Sequence, residues 1–350
     1  MRLLKLICSI VFIGFLNSVS AQDQCITPQN FEDPLKGKDP MDIISRARYF
    51  EDYTIKIYVH LVVEDNGTGG PTESQLLSEV EDLVDYYDQH DICFALVGYD
   101  YIRDSDYASD SDFTGTDAGN LISDYPPQTD VLDIYILPDY TFYRGNAFAI
   151  PNHYLLIYAG RFNSCHLAHE VGHCMGLSHT HAGNATANNA NCSTTGDRVC
   201  DTPADPDLSG NVNGSCVYTG TDTDSNGATY NPDVTNTMSY APFSCRGSFT
   251  AGQEARMKAT LMTNAILAPL QVSDGPLSLF GQTISSGERH VATKTTIRAG
   301  KLINFFTGYI VQNSAEVTHT AELSVTLVEG FEAKPSSGSY TAKARSLCNN

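Results

Sequence analysis

Basic residues are scarce in this chain: 21 Lys and Arg stand against 41 Asp and Glu, a net charge of −20. A surface of that sign repels phosphates, which excludes nucleic acid as a partner. A membrane-spanning run is missing too. The N-terminal apolar stretch from Leu6 to Leu16 falls short of the ~18 residues that a spanning helix needs, so no membrane insertion is expected. It follows Arg2 and Lys5 and precedes Ser18, Ser20 and Ala21, the layout of a signal peptide cleaved after Ala21. Cys8 lies ahead of most of this run, too early for lipid attachment. The expected location is therefore secreted, extracellular or at the cell surface.

What is present fits that compartment. Ten cysteines less Cys8 leave an odd number where disulfides persist, so at least one is unpaired, metal-bound or intermolecular. With 350 residues, 41% of them hydrophobic, the chain can hold one domain of about 200 residues and a smaller one.

Along the chain, residues 22–49 read as a loop-rich, propeptide-like leader broken by Pro28, Pro34, Gly37 and Pro40. Residues 50–268 read as one domain. Strands are expected at 53–63, 92–102, 131–137 and 154–158 from β-branched content and alternation. Thr72 caps a helix to His90, with Leu76, Leu77, Val80, Leu83 and Val84 as its apolar stripe. Further helices are expected at about 165–175 and 250–267. Between them, residues 180–235 are rich in Gly, Asn, Asp and Thr and need stapling. From about Gln271 to 350 the pattern changes to short β runs punctuated by Gly300, Gly308 and Gly330, a small all-β module of stacked, solenoid-like character.

The chemistry concentrates in residues 165–179. His169 and His173 are four apart, one turn along a single helix face. Gly176 suits the left-handed residue that ends a helix, so the chain can turn and return His179 as a third ligand. Three protein ligands leave a fourth position for water, the catalytic rather than the structural arrangement for zinc. Glu170 adjoins His169 and can act on that water as general base. His166 is a rival ligand on the same face. It would stand ~10 Å from His173 along the axis, too far to share one ion, and reads as a surface or outer-shell histidine.

This stretch resembles the metzincin metallopeptidases and, more narrowly, the pappalysin family. Three further pieces match in order: residues 196–203 (GDRVCDTP), 236–240 (NTMSY), and Cys245-Arg246 followed by 249–253 (FTAGQ). The resemblance implies an α+β metzincin-type fold, with a twisted mixed sheet, a zinc helix and a Met-turn that puts Met238 beneath the metal. It implies Tyr240 near the zinc, where its hydroxyl could steady an oxyanion. It further implies a protein or peptide substrate lying along an edge strand at 145–150, and endopeptidase action. Relatives that prefer basic residues carry an acid where this chain has Phe243, so an apolar preference is open here.

Asp222, Asp224 and Asn226, with Gly227 sixth and Asp233 twelfth, have the spacing of a calcium loop. The resemblance adds Asp197, Asp201 and Thr202 as other calcium candidates. Cys192, Cys200, Cys216 and Cys245 are expected to staple the loops, whereas Cys165 and Cys174 lie on different helix faces. Cys25 has two readings: a latency ligand on zinc, as in a zymogen activated by cleavage at Arg46 or Arg48, or an ordinary disulfide. Residues 297–348 resemble a small stacked β domain at the ends of secreted bacterial proteins, which suggests surface attachment. Two other functions compete: a binding or adhesion protein on an inactive scaffold, and a zinc amidase acting on cell-wall peptides.

Overall fold

The computed structural model describes residues 33, 35–46, 53–110, 113–138, 145–159, 164–183, 185–273, 277–280, 283–284, 288–293, 296–300, 309–313, 316–321, 324–327, 331–337 and 339–344. The signal peptide, Cys25, Arg48 and Cys348 lie outside the described residues. None of the described helices is long and apolar enough to cross a membrane.

The elements run α1 (Pro40–Arg46), β1 (Tyr53–Val63), α2 (Glu73–Asp88), β2 (Ile92–Arg103), α3 (Ser105–Ala108), α4 (Gly115–Asp124), β3 (Leu132–Leu137), β4 (Gly145–Asn146), β5 (Tyr154–Tyr158), α5 (Ser164–Cys174) and α6 (Ala251–Thr263). One twisted sheet has the order β2-β1-β3-β5-β4. Its first four strands are parallel and β4 runs antiparallel along the edge of β5. The fold is α+β, as expected.

Every residue of β1 is buried, because this central strand is covered on both faces. One face presents Ile55, Ile57, Val59 and Leu61 with Ile134, Ile136, Leu155 and Ile157 to α2, α5 and α6. The other packs Val62, Tyr135, Leu137 and Tyr158 on Ala108, Ala118 and Leu121 of α3 and α4. In α2, Leu76, Val80, Leu83, Val84 and Tyr87 are buried, while Leu77 is 48% exposed. Leu77 stands 100° round the helix from Leu76, at the margin of the stripe, and does not belong to it.

Three helix boundaries have local causes. The leader contains α1, because Pro40 starts it rather than breaking the chain; Pro lacks only an N–H that is orphaned there anyway, and the Asp39 carboxylate accepts from Met41 N. Thr114 and Asp117 form a capping box that turns an Asp/Ser/Gly-rich segment into α4. Helix α6 stops at Thr263, short of Leu267, since Asn264 turns extended and its side chain accepts from Ile266 N.

Beyond a 3-10 turn at Ala268–Leu270 the described residues form nine short strands: β6 (Leu277–Phe280), β7 (Thr283–Ile284), β8 (Glu288–Thr293), β9 (Thr296–Gly300), β10 (Tyr309–Asn313), β11 (Glu316–Ala321), β12 (Ser324–Leu327), β13 (Phe331–Pro335) and β14 (Ser339–Ala344). They form three parallel sheets, β6-β9-β12, β7-β10-β13 and β8-β11-β14. Each rung contributes one strand to each sheet, so like residues stack: Leu277 on Ile297 on Val325, and Ile284 on Val311 on Ala333. That is a three-rung solenoid. Strands β10 and β11, close in sequence, belong to different sheets.

Where the solenoid meets the five-stranded sheet, Val272 and Ala292 pack on Tyr58, Ala95 and Val97. Beside this contact His60 is buried between two carboxylates, with Nδ1 2.8 Å from Asp100 and Nε2 3.0 Å from Asp133. Burial opposes its charge, but the two carboxylates prevail and push its pKa up to about 9. Burial likewise pushes Asp133 up to about 6, with His60 working against it. Above pH ~7 Asp133 has finished titrating, and the remaining dependence belongs to His60. A raised histidine stabilises fully below its unfolded value of 6.5 and ceases to do so as pH rises through about 9. Melting temperature should therefore fall between about pH 7 and 9 and do so less steeply in His60→Gln; parallel curves for the two proteins would contradict this.

Candidate metal centre and active site

Helix α5 is buried along almost its whole length, and its end sets the site. Gly176 has φ +93°; Leu177 N donates to Gly172 O and Gly176 N to His173 O, both at 2.9 Å. This paired ending is a Schellman motif, which needs the left-handed glycine. It also leaves the Leu177 carbonyl 2.7 Å from His173 Nδ1. His169 Nδ1 makes the equivalent bond, 2.7 Å, to Thr237 O. In both rings Nδ1 carries the proton, and Nε2 keeps a bare lone pair.

The three Nε2 atoms converge: His169 to His173 3.2 Å, His169 to His179 3.1 Å, and His173 to His179 3.0 Å. Burial, reinforced by neighbouring charges, drives His169 and His179 well below the usual histidine range, and burial also lowers His173. The rings are neutral at pH 7, so the His169–His173 contact opposes two lone pairs and cannot be a hydrogen bond. A cation resolves that repulsion. Four donors ~2.0–2.1 Å from tetrahedral zinc stand about 3.4 Å apart, close to the spacing found. Among the described residues this trio is the only group of three or more His, Cys, Asp or Glu donors gathered in this way.

Glu170 is completely buried beside it, with Oε1 3.5 Å from His166 Nε2. His166 is 2% exposed, so it is no surface residue. Gly145 explains how β4 comes so near: a Cβ there would lie 2.5 Å from Glu170 Oε1 and 2.7 Å from His166 Nε2. Met238 is fully buried and faces Gly172, where a Cβ would meet Sδ at 2.8 Å. The Tyr240 ring packs on His179 with centroids 4.6 Å apart. Phe243 lies between His166, 4.8 Å away, and the Arg246 guanidinium, 4.1 Å above its ring.

Several supports were not legible in the sequence. Asn236 and Gln253, both fully buried, exchange two amide hydrogen bonds at 2.8 and 3.1 Å. Asn236 also accepts from Met238 N, tying the turn at Met238 to the capping box of α6. Arg256 Nε donates to Gly176 O at 2.8 Å, and its Nη2 donates to Asp33 at 2.7 Å. Burial opposes the Asp33 charge, but Arg256 and Arg198 outweigh it and hold the carboxyl below its usual range. The leader is thus anchored on α6. Only pairing of distant residues reveals these bonds; the motifs at 236–240 and 249–253 contain Asn236 and Gln253 but do not say that the two meet.

The expected edge strand at 145–150 is shorter than anticipated. Pairing covers Gly145 and Asn146 only, because Asn146 Oδ1 accepts from Phe148 N and Phe148 bends left-handed at φ +57°. The calcium spacing at 222–233 folds as a tight turn, with Thr223 bridged to Thr229. Asp224 accepts from Asn226 N, Ala228 N and Ala187 N, and Asp233 from Thr235 N. Asp222 accepts from the Tyr218 hydroxyl. Asp201 is engaged by Gly252 N and Thr250 Oγ1 at the start of α6. Asp197 Oδ2 and Thr202 Oγ1 differ: both are buried without a well-formed hydrogen bond, although the Thr202 hydroxyl comes close enough to the Asp197 carboxyl to favour its charged form. Disulfides join Cys192 to Cys200 and Cys216 to Cys245. Cys165 and Cys174 are free and buried, and Cys93 is also disulfide-bonded.

Comparison with known proteins gives this arrangement its kin. The peptidase M43 family profile, described as pregnancy-associated plasma protein-A, matches residues 147–262. An extracellular metalloprotease of Colletotrichum graminicola is 30% identical over 261 residues, covering 68% of this chain and 89% of the relative. This chain belongs to the M43, or pappalysin, family. It is a zinc metalloprotease. A second relative, an extracellular metalloprotease of Sordaria macrospora, is 29% identical over 224 residues, 58% of this chain and 73% of that one. Among solved structures, mature mirolysin of Tannerella forsythia in complex with a cleaved peptide is 19% identical. It covers 63% of this chain and 96% of that one, with a TM-score of 0.45.

Gly145→Ala should force β4 and Glu170 apart. Proteolysis is expected to fall by about 10²-fold, the usual cost of a displacement near 1 Å, with zinc content unchanged. Retained activity would show that β4 yields instead.

Proposed function

We propose that this pappalysin is a secreted endopeptidase in which Glu170 is the general base. The observation that supports this best is the Glu170 carboxylate, fully buried and next to a trio of neutral imidazole donors. His169, His173 and His179 would hold the metal. Bound zinc supplies Lewis acidity, polarising the scissile carbonyl and acidifying water. Glu170, with Oε1 set against His166 Nε2, takes a proton from the attacking water and returns it to the leaving amine. Tyr240 donates its hydroxyl to the developing oxyanion. The substrate runs along the open edge of β4, which among the described residues has a partner strand on one side only, and an open edge admits a chain in mid-length. Secretion is supported by the signal-peptide layout and by relatives named as extracellular. The stacked C-terminal strands would serve surface attachment.

Casein or gelatin digestion by the secreted protein tests the enzyme. Chelation should abolish cleavage, and Glu170→Ala should lower it by roughly 10²–10⁴-fold while keeping one zinc per chain. Full activity in that variant would remove Glu170 from the chemistry. Inactivity of the wild type, with zinc bound, would favour the binding-scaffold reading.

We also place a structural calcium at Asp197 and Thr202. Burial pushes Asp197 up to about 7, which marks a carboxylate short of compensating charge. With its Oδ2 and Thr202 Oγ1 lacking partners, two hard oxygen donors are left for a cation. Calcium at about 100 times its Kd should raise the melting temperature by roughly 5–10 °C, an increment absent from Asp197→Ala. Equal melting with and without calcium would refute the site.

A further inference from the structure

Two residues beyond His179 stands a histidine outside the metal-binding trio. The ring of His181 lies parallel to that of His179, with 9° between planes and centroids 5.0 Å apart. Tyr240 touches both, at 4.6 Å from His179 and 4.4 Å from His181, tilted 59° and 51°. The phenol thus rests across a pair of stacked imidazoles.

The segment bearing this pair is fixed at its middle. Thr180 N donates to Met238 O at 3.1 Å, and Thr180 Oγ1 donates to the buried Asp205 carboxylate at 2.5 Å. Asp205 in turn accepts from Asp207 N. His179 and His181 therefore project from a three-residue piece held between the turn at Met238 and the 205–207 loop. His181 Nδ1 is buried with no hydrogen-bond partner. A buried nitrogen left unpaired is a cost, and His181 bears it while its ring is packed on His179 and Tyr240.

We propose that His181 is a positioning residue, whose ring face with that of His179 clamps the Tyr240 phenol in its working orientation. This rests on the reading of Tyr240 as oxyanion donor. Tyr240 is only half-buried and follows the turn at Met238, and a donor contributes to catalysis only when it is held in place beforehand. Since the stacking face does the work, a flat apolar ring should replace histidine.

Peptide hydrolysis is measured for the full secreted chain with His181→Ala, His181→Phe, Tyr240→Phe and the His181→Ala/Tyr240→Phe double variant, alongside zinc content. His181→Ala is expected to lower kcat by roughly 10–100-fold with KM within about twofold, the pattern of a group needed only in the transition state. His181→Phe should stay within about threefold of wild type. The double variant should be no slower than Tyr240→Phe alone, because the two residues act as one unit. Normal kcat in His181→Ala while Tyr240→Phe is slow overturns the proposal and leaves the Tyr240 reading intact. So does an equal loss from His181→Ala in both backgrounds. Should His181→Ala lose zinc or fail to fold, His181→Phe decides: slow turnover with zinc bound overturns the clamp. Normal kcat in Tyr240→Phe instead removes the reading of Tyr240 itself.

Discussion

Neutral imidazoles do not gather their lone pairs at one point unless something holds them there. In this protein the holding is done from behind, by two backbone carbonyls. Leu177 O and Thr237 O each accept a hydrogen bond from the Nδ1–H of a histidine, which fixes both the tautomer and the direction of Nε2. Nearly everything around the site serves to place those two carbonyls. Gly176 places the first, through a helix ending that only a left-handed residue completes. The reciprocal amide bonds of Asn236 and Gln253 place the second.

The same dependence runs outward from the site. Arg256 binds the Gly176 carbonyl with Nε and Asp33 with Nη2, so the leader, α6 and the end of the metal-binding helix form one connected brace. On the sheet side, close approach is made possible by missing side chains. Gly145 lets β4 lie against Glu170 and His166, and Gly172 lets Met238 lie under the helix. Each glycine gives up conformational economy to admit a functional neighbour.

The face of the sheet remote from the metal carries another kind of constraint. Lys56 and His60 alternate with apolar residues on β1 yet are buried. They are tolerated because Asp100 and Asp133 flank His60 and because Lys56 Nζ donates to His290 O of the solenoid at 2.8 Å. Burial lowers the Lys56 pKa to about 8, with Asp130 acting to raise it. The junction between the sheet and the C-terminal strands is thus polar at its centre and apolar at Tyr58, Val272 and Ala292.

Local spacing by itself determined the metal trio, Glu170, the helix stop at Gly176 and the strands β1 and β5, because these follow from periodicity and from what glycine and histidine can do within a few residues. Pairing at a distance was decided only by the tertiary structure. Nothing in residues 22–49 announces that Asp33 will find Arg256, or that Pro40 will begin a helix. Nothing near 222–233 tells that Asp224 will satisfy its own turn, while Asp197 and Thr202 are left with unpaired oxygens. His181 looks like a neighbour of a ligand until Tyr240, 59 positions on in the sequence, comes to rest on its ring. Hydrogen bonds and ring contacts of this kind depend on where the chain returns in space, and a short stretch of sequence carries no record of that.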